Sequence, residues 1–369
     1  MPLIQLEISN FRNIKRLSLK PASSGFTVIC GLNGSGKTSL IEAIHVLSCG
    51  RSFRTSDANQ LIQKTADECI VHARISIVDG AVSTFGVARK PGAALRSKRD
   101  GLSSKLADHA KEFPVRVISP VESNDLINAG PSKRRDFVDW GVFHVKHCHW
   151  NVLKDFNRIV KQRNAALKMK CGAAELHEWN SQFVTASMGV DAARREFFQL
   201  WWQHFKGLVE HIPLLACVKA EYLPGWDSSC LLADVLAEAM PKERVVGHGL
   251  HGPHRAELLL TVDGVAVKES FSRGQQKLLA VAMYLSQGAA LFSVLGKHPL
   301  YMVDDFTSEL DEHSQALLLS VLCDVEKQVI VTSLDKNPLL SLLKSHAISF
   351  ECCEINSGSL HQSSVDVTA

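Results

Sequence analysis

The sequence predicts a mixed α/β head, with an antiparallel lobe beside its main sheet, that is interrupted by an inserted helical arm. Two short apolar runs of strand type, 27–30 and 300–303, lie far apart in the chain, and each leads into a polar segment. Alternation over 71–87 predicts the antiparallel lobe. Between about 124 and 247, apolar residues recur every three or four positions, as in amphipathic helices. We therefore predict a head built from 1–123 and 248–369, and a helical arm at 124–247.

The composition is that of an ordinary globular protein. The 369 residues are 46% hydrophobic and 21% charged, which fits two or three domains and excludes disordered or low-complexity classes. The formal net charge is only +3, so any surface for nucleic acid must be a local patch. The chain shows no uncharged apolar run of about 18 residues, and its ten cysteines are scattered. We therefore expect a cytoplasmic protein with reduced thiols and no membrane segment.

A glycine-rich octet follows the first apolar run and precedes a helix. It matches the pattern GxxxxGK[ST] and reads Gly31, Leu32, Asn33, Gly34, Ser35, Gly36, Lys37, Thr38. The glycines allow backbone N–H groups to surround phosphate oxygens, and the following helix points its positive end at the same anion. We predict that Lys37 reaches the β- and γ-phosphates of ATP and that the Thr38 hydroxyl binds Mg²⁺.

Two carboxylates, Asp304 and Asp305, follow the second apolar run. Open α/β sheets bind ligands at the carboxyl ends of their strands, so this placement suits a nucleotide site. We predict that Asp304 holds Mg²⁺ and that Asp305 polarises the water that attacks the γ-phosphate. An ordinary strand end with an acidic turn would explain the two residues equally well if they stood alone.

Two further motifs lie on either side of the carboxylates, and the order of all four resembles the ABC-type ATPase head. Upstream, the signature residues begin an amphipathic helix; downstream, the run 307–311 ends in Asp311. The resemblance implies that the signature of one subunit contacts ATP held by the phosphate loop of another, and that Asp311 lies on the dimer interface. The signature residues are Ser272, Arg273, Gly274 and Gln275.

The spacing of these motifs separates subclasses. Lys37 and Ser272 are 235 residues apart. That distance is too long for a compact transporter ATPase and too short for the coiled-coil arms of SMC proteins, which need several sustained heptads. A short helical insertion fits the spacing best.

The sequence resembles the RecF family of bacterial recombination-mediator ATPases over most of its length. The segments that carry the resemblance are 6–14, 50–54, 130–140, 161–167 and 252–258. The resemblance implies a cytoplasmic protein that forms a homodimer with ATP, binds double-stranded or gapped DNA in that state, and works with RecO and RecR to load recombinase on single-strand gaps. It also implies slow, DNA-stimulated ATP hydrolysis that serves as a switch.

Two positions depart from the usual ABC-type pattern. The residue after the Mg²⁺-binding aspartate is commonly glutamate, whereas here it is Asp305, and Thr332 and Ser333 stand where many heads have a histidine. Catalysis of phosphoryl transfer is mostly positioning and electrostatics, so a shorter carboxylate and a missing imidazole are compatible with slow turnover.

DNA contact requires clustered cations, and the sequence contains several such clusters. We expect contacts to the phosphate backbone without sequence preference, because no base-reading motif is present. Arg54 could instead sense the nucleotide, since it follows the phosphate-loop helix directly. The predicted contact residues are Arg54, Lys133, Arg134 and Arg135, and further clusters lie at 96–99 and 161–170.

Two other functions remain open at this stage. One is an ABC-type subunit that acts in transport or translation, and the other is a P-loop kinase of small molecules. The helical insertion argues against a transporter subunit, and the signature residues 272–275 argue against a kinase.

Overall fold

The computed structural model describes residues 3–77, 80–210, 212–306, 312–323 and 328–363. In chain order the first half of these contains β1 (Leu3–Phe11), β2 (Ile14–Leu19), β3 (Gly25–Cys30), α1 (Lys37–Cys49), β4 (Cys69–Ser76), β5 (Val82–Arg89), β6 (Arg96–Arg99), β7 (Leu102–Ser103), α2 (Leu106–Glu112), β8 (Val115–Ile118), α3 (Pro120–Asn128), α4 (Pro131–Val145) and α5 (His149–Lys168). The second half contains α6 (Ala173–Val209), β9 (Lys219–Leu223), α7 (Leu232–Val246), β10 (Glu257–Val262), β11 (Val265–Ala266), α8 (Val267–Ser270), α9 (Arg273–Leu295), β12 (Leu300–Val303), α10 (Glu312–Cys323), β13 (Gln328–Ser333), α11 (Lys336–Ser345), β14 (Phe350–Asn356) and β15 (Ser359–Ser363).

The chain divides into two compact units, which we name the head unit and the arm unit. The head unit comprises 1–124, 272–288 and 296–369, and the arm unit comprises 125–271 and 289–295. The fold is the mixed α/β arrangement that the sequence predicts.

The antiparallel lobe of the head unit is a six-stranded sheet in the order β2-β1-β4-β5-β6-β7. Strand β4 shows why it forms: Val71, Ala73 and Ile75 are buried, whereas Ile70 and Arg74 on the opposite face are exposed. A period of two is what a sheet with one covered face requires. The predicted antiparallel lobe is therefore confirmed.

The main sheet of the head unit has the order β15-β14-β3-β13-β12-β8 and is parallel from β14 to β8. Strands β12 and β13 are buried at every position, as expected for parallel strands covered on both faces. Because β13 lies between β3 and β12, the loops that follow these three strands meet at one edge of the sheet. That edge carries the phosphate loop, Asp304 and Thr332.

Gln328 joins the two sheets of the head unit. Its buried side-chain amide donates to the carbonyl oxygens of Leu3, at 2.9 Å, and Ala22, at 2.6 Å, and its oxygen accepts from the Leu3 N–H at 2.7 Å. A buried amide that is satisfied in this way fixes the start of β1 against β13.

The arm unit combines long helices with a small antiparallel sheet, β11-β10-β9. Phe156 on α5 and Phe183 on α6 form an apolar cluster together with residues of α7. Residues 248–271, which the sequence analysis assigned to the head, belong to this unit. The reason is that β10 pairs with β9 over five residues, a pairing between distant segments that a helical pattern does not reveal.

Helix α9 is the one helix among the described residues that is long and apolar enough to cross a membrane. It contains a long uncharged stretch, so the prediction that the chain has no such run is wrong. However, 72% of that stretch is buried within the protein, so a core helix explains its composition.

Candidate nucleotide-binding site

The phosphate loop connects β3 to α1 in a conformation that needs its glycines. Gly34 and Gly36 have φ values of +78° and +119°, which residues with a Cβ rarely adopt. At Gly31, an added Cβ would lie 2.3 Å from the carbonyl oxygen of Ile355. Helix α1 begins after Gly36, and no side chain caps its first N–H groups. These groups are therefore available to an anion.

Lys37 is folded back over its own loop. Its Nζ donates hydrogen bonds to the carbonyl oxygens of Gly31, at 2.6 Å, and Leu32, at 3.0 Å. Burial lowers the pKa of this lysine, and the nearby Asp305 and Asp304 oppose that shift. The loop thus holds a cation beside its open N–H groups.

Asp304 and Asp305 lie where β12 ends, and Thr332 from β13 binds both. The Thr332 hydroxyl donates to Asp304 Oδ1 at 2.7 Å and accepts from the Asp305 N–H at 2.9 Å. Thr38 Oγ1 donates to the same Asp304 oxygen at 3.3 Å. Burial raises the pKa of Asp304. Asp305 has a φ of +55°, a strained value that Asp tolerates better than most residues.

The chemistry of this cluster fits Mg²⁺. The Thr38 hydroxyl and the Asp304 carboxylate are hard oxygen donors, and Mg²⁺ is usually held in proteins by one or two such groups together with phosphate oxygens. When bound, the ion would neutralise phosphate charge. Among the described residues, no group of three His, Cys, Asp or Glu side chains could hold a metal alone.

These residues line a cleft of about 1110 Å³ in the head unit. Of its 20 described lining residues, the sequence predicts eight, at positions 33, 34, 36, 37, 38, 54, 304 and 305. The structure adds Arg12, Asn13, Ser39 and Pro91, together with eight residues of the segment 57–66. The cleft is large enough for a nucleotide, since small-molecule sites typically measure about 300–1,000 Å³.

A buried carboxylate, Glu42, organises one wall of the cleft and was not predicted. It is fully buried on α1 and accepts two hydrogen bonds from Arg12, at 2.9 and 2.6 Å. Arg54 Nη1 lies 3.5 Å from Glu42 Oε2, and the Ser52 hydroxyl donates to Glu42 Oε1. A charged residue within the otherwise apolar face of α1 was the signal that could have revealed it.

Asn13 connects the β1–β2 turn to the phosphate loop. Its Nδ2 donates to the Gly34 carbonyl at 2.7 Å, and its Oδ1 accepts from Ser39 Oγ at 2.8 Å. Arg12 and Asn13, which belong to the segment 6–14 that contributed to the family resemblance, thus line the nucleotide cleft itself.

The signature residues cap their own helix. The Ser272 N–H donates to Gln275 Oε1 at 2.8 Å, and the Gln275 N–H donates to Ser272 Oγ at 3.4 Å. This reciprocal pair is a capping box. Ser272 and Arg273 are exposed, and none of the residues 272–275 lines the cleft. Asp311 lies outside the described residues.

Two of the predicted DNA-contact residues in the arm unit are held by the protein itself. Arg134 binds Glu257 at 2.7 and 2.8 Å and also donates to the carbonyl oxygens of 126, 127 and 129. Arg135 donates to the Ala256 carbonyl at 2.9 Å, and burial lowers its pKa. Lys133 is more exposed and lies 3.0 Å from Asp125. The geometry therefore gives Arg134 and Arg135 a structural role.

Arg163, part of the other arm cluster, is also structural. It is buried and pairs with the buried Glu243 at 2.5 Å. In the head unit, Arg54 lines the cleft. This position is the one required if Arg54 senses the nucleotide and does not contact DNA.

A phosphate loop after β3, two carboxylates after β12 and a signature helix α9 define a P-loop nucleotide-binding head. A family model described as the RecF/RecN/SMC N terminal domain matches residues 2–351. Two curated relatives named "DNA replication and repair protein RecF" are similar over nearly the whole chain. The one from Shewanella sp. (strain MR-7) is 36% identical over 93% of this chain and 95% of its own, and the one from Aliivibrio fischeri (strain ATCC 700601 / ES114) is 34% identical over 95% and 98%. The chain belongs to the RecF family.

Solved structures agree on the fold. The recombination mediator protein RecF in complex with ATPrS, of the RecFOR pathway, superimposes with a TM-score of 0.84 at 22% identity, over 98% of this chain and 99% of that one. An SMC head bound to the C-terminal winged-helix domain of ScpA gives a TM-score of 0.58 at 16% identity, over 100% and 98%.

Proposed function

We propose that this protein binds Mg²⁺-ATP in the cleft of the head unit and acts in recombinational DNA repair. The observation that carries the proposal is the edge of the main sheet, where an uncapped helix N-terminus, Lys37 and the hydrogen-bonded pair of Thr38 and Asp304 lie together. Backbone N–H groups and a lysine suit phosphate oxygens, and the oxygen pair suits the ion.

The repair function rests on the relatives. Those named above are DNA replication and repair proteins, and a solved structure of similar fold is a recombination mediator with a bound ATP analogue. We propose that this chain likewise binds double-stranded or gapped DNA without sequence preference and works with RecO and RecR partners. The extensive match to RecF argues against the transport, translation and kinase alternatives.

We further propose that ATP drives formation of a homodimer. The signature residues 272–275 lie outside the cleft of their own chain, and Ser272 and Arg273 are exposed. A second subunit could therefore present its signature, including Ser272 and Gly274, to the nucleotide, and we propose that Asp311 lies on the dimer interface. The γ-phosphate would then supply the difference in affinity between the monomeric and dimeric states.

Asp305 is the proposed water-positioning residue. It lines the cleft, and its backbone is fixed by Thr332 in a left-handed conformation. Hydrolysis with this shorter carboxylate would be slow and would act as a switch that releases DNA. Asp305→Asn should weaken water positioning while leaving the phosphate loop intact, so the ATP-bound dimer should persist longer.

Fluorescence anisotropy with a labelled duplex tests the proposal. ATP should raise duplex affinity, because two closed subunits join their cationic surfaces, and affinity should fall steeply with salt as counterions are released. Asp305→Asn should retain DNA longer after ATP is added. Duplex affinity that does not respond to ATP would contradict the repair function, whereas ATP binding measured in parallel tests the cleft separately.

A further inference from the structure

A second pocket, of about 560 Å³, is lined by residues 50–56 that follow α1 and by Arg89 on β5. We name it the arginine pocket, because Arg51, Arg54 and Arg89 all line it. None of its described lining residues is an aspartate or a glutamate. Arg54 lines both this pocket and the nucleotide cleft, so the two sites share one side chain.

The charges in the arginine pocket are poorly balanced. Within the described chain, neither Arg51 nor Arg89 lies within 4 Å of a carboxylate, and Arg89 Nε is buried without a hydrogen-bond partner. Arg54 has only the 3.5 Å approach to Glu42. Glu42 is itself already paired in bidentate fashion with Arg12. The pocket therefore keeps a net positive charge.

The hydroxyl groups of the segment are mostly occupied. Ser52 Oγ donates to Glu42 and accepts from the N–H groups of Arg54, at 2.8 Å, and Thr55, at 3.1 Å. Thr55 Oγ1 accepts from the Asp57 N–H at 3.1 Å. These bonds fix the backbone that carries Arg51 and Arg54. The guanidinium groups of the arginines that line the pocket are therefore the main donors left for a ligand.

Among the residues that the structure describes, Arg51 and Arg89 have no carboxylate partner, and Arg54 has only the 3.5 Å approach to Glu42. Like charges that are so weakly compensated repel one another, and a buried unpaired donor costs free energy, unless an anion is present. The guanidinium fork matches the oxygens of a phosphate group and binds it in bidentate fashion. We propose that the arginine pocket is a second anion site, distinct from the phosphate loop, which binds a phosphate group. The source that we favour is a DNA backbone phosphate, and this part rests on the proposed function; free phosphate is the other source.

Because Arg54 lines both sites, an anion bound in the arginine pocket should change the affinity of the cleft for nucleotide. A phosphate group in the pocket would draw Arg54 away from Glu42 and from the cleft wall. Anion occupancy would then change nucleotide affinity, and by linkage the nucleotide would change anion affinity by the same factor.

Arg89→Gln is the decisive variant, because Arg89 lines the arginine pocket and not the cleft. The matched control is Arg74→Gln, an exposed arginine on the outer face of the same sheet. Binding of a labelled oligonucleotide and of inorganic phosphate would be titrated on the full chain, with the phosphate loop saturated by Mg²⁺-ADP. We expect Arg89→Gln to lower anion affinity about 10-fold, the loss of one charged hydrogen bond, and the control to change it far less.

The pattern of loss identifies the source. A loss for the oligonucleotide, with or without a loss for phosphate, supports a DNA phosphate, and a loss for phosphate alone supports the free anion. Equal affinities of Arg89→Gln and the control for both probes would overturn the anion site. Mg²⁺-ADP affinity, measured in a separate titration of the same variants, reports on the nucleotide cleft. Normal nucleotide binding without an Arg89 effect refutes only the arginine pocket. Thermal melting checks the fold, which should not suffer, since Arg89 Nε has no partner to lose.

Discussion

Two helix N-termini in the head unit carry the motifs of an ATPase head, and they differ in how their backbone groups are satisfied. Helix α1 begins at a glycine, and no side chain caps it. Helix α9 begins beside Ser272, which forms a reciprocal capping box with Gln275. The N–H groups at the start of α1 are therefore available to a ligand, whereas some of the N–H groups at the start of α9 already have side-chain partners.

The difference indicates how each terminus can contribute to a site. An uncapped terminus next to a lysine and a buried carboxylate is unfavourable by itself and gains most from a bound nucleotide. A self-capped terminus is stable without a ligand and can remain exposed on a monomer. This division fits a protein in which each subunit binds ATP at α1 and offers α9 to its partner.

The largest effect should come from Lys37→Met. This change removes the cation held over the phosphate loop, and the loss of a charged hydrogen bond, about 1.5–3 kcal/mol, predicts ATP affinity reduced about 10- to 100-fold. Titration with a fluorescent ATP analogue measures it, with the exposed Lys15→Met as the control. Unchanged affinity in a folded variant would show that α1 is not the phosphate site.

The next effect concerns the partner subunit. Ser272→Arg places a bulky cation at the exposed terminus of α9, so association with ATP should be lost while the monomer still binds ATP. Light scattering gives the mass with and without ATP, and Ser272→Ala serves as the smaller change at the same position. Weaker ATP binding by the Ser272→Arg monomer would show that the signature acts on its own chain. That result would contradict the separate roles assigned to the N-termini of α1 and α9.

Asp304→Asn should have opposite effects on stability with and without nucleotide. Burial raises the pKa of Asp304, so its ionised form destabilises the free protein, and the neutral amide should raise the Tm in the absence of ligand. The stabilisation by Mg²⁺-ATP, about 2.7 kcal/mol at 100 times the Kd, should largely disappear.

The difference in Tm between Asp304→Asn and the wild-type protein should depend on pH with a definite sign. A raised pKa means that the folded wild-type protein binds this proton more readily, which adds stability at acid pH that is lost as pH rises. The Tm advantage of Asp304→Asn should therefore grow as pH rises above 3.8, the ordinary aspartate value. A constant or shrinking advantage would contradict the assignment of the destabilisation to this carboxylate.

The smallest effect should follow from Gln275→Ala. Loss of one half of the capping box should lower the free energy of unfolding by about 0.5–1 kcal/mol, with the ATP affinity of the monomer unchanged. Urea denaturation with a parallel ATP titration measures both quantities. A fall in monomer ATP affinity would show that the two termini are not independent.

The sequence predicts well what is encoded locally. The phosphate loop, the aspartates after β12 and the long helices of the arm unit all follow from short patterns of residue type. Glu42 and the roles of Arg134 and Arg163 could not be predicted in the same way. Their partners lie 30, 123 and 80 residues away, and a charged residue alone does not reveal whether it faces solvent or a buried ion pair.

The same limit explains why the predicted boundary at 248 differs from the division of the chain into two units. Strand β10 belongs with the arm unit because it pairs with β9, and pairing partners are set by tertiary structure and not by the local pattern. Thr332 illustrates an intermediate case. Its position at the end of β13 was noted from the sequence, but only the structure shows that its hydroxyl joins Asp304 to Asp305.

The position of β13 between β3 and β12 has a consequence for how the protein is made. Strand β3 leaves the ribosome roughly 300 residues before β13, which at about 5–20 residues per second is an interval of about 15–60 seconds. During that time the backbone N–H and C=O groups on the edge of β3 that pairs with β13 have no strand partner, and the nucleotide site is incomplete because Asp304 and Thr332 have not yet been synthesised. We therefore expect chaperones that bind exposed strands to associate with the nascent head.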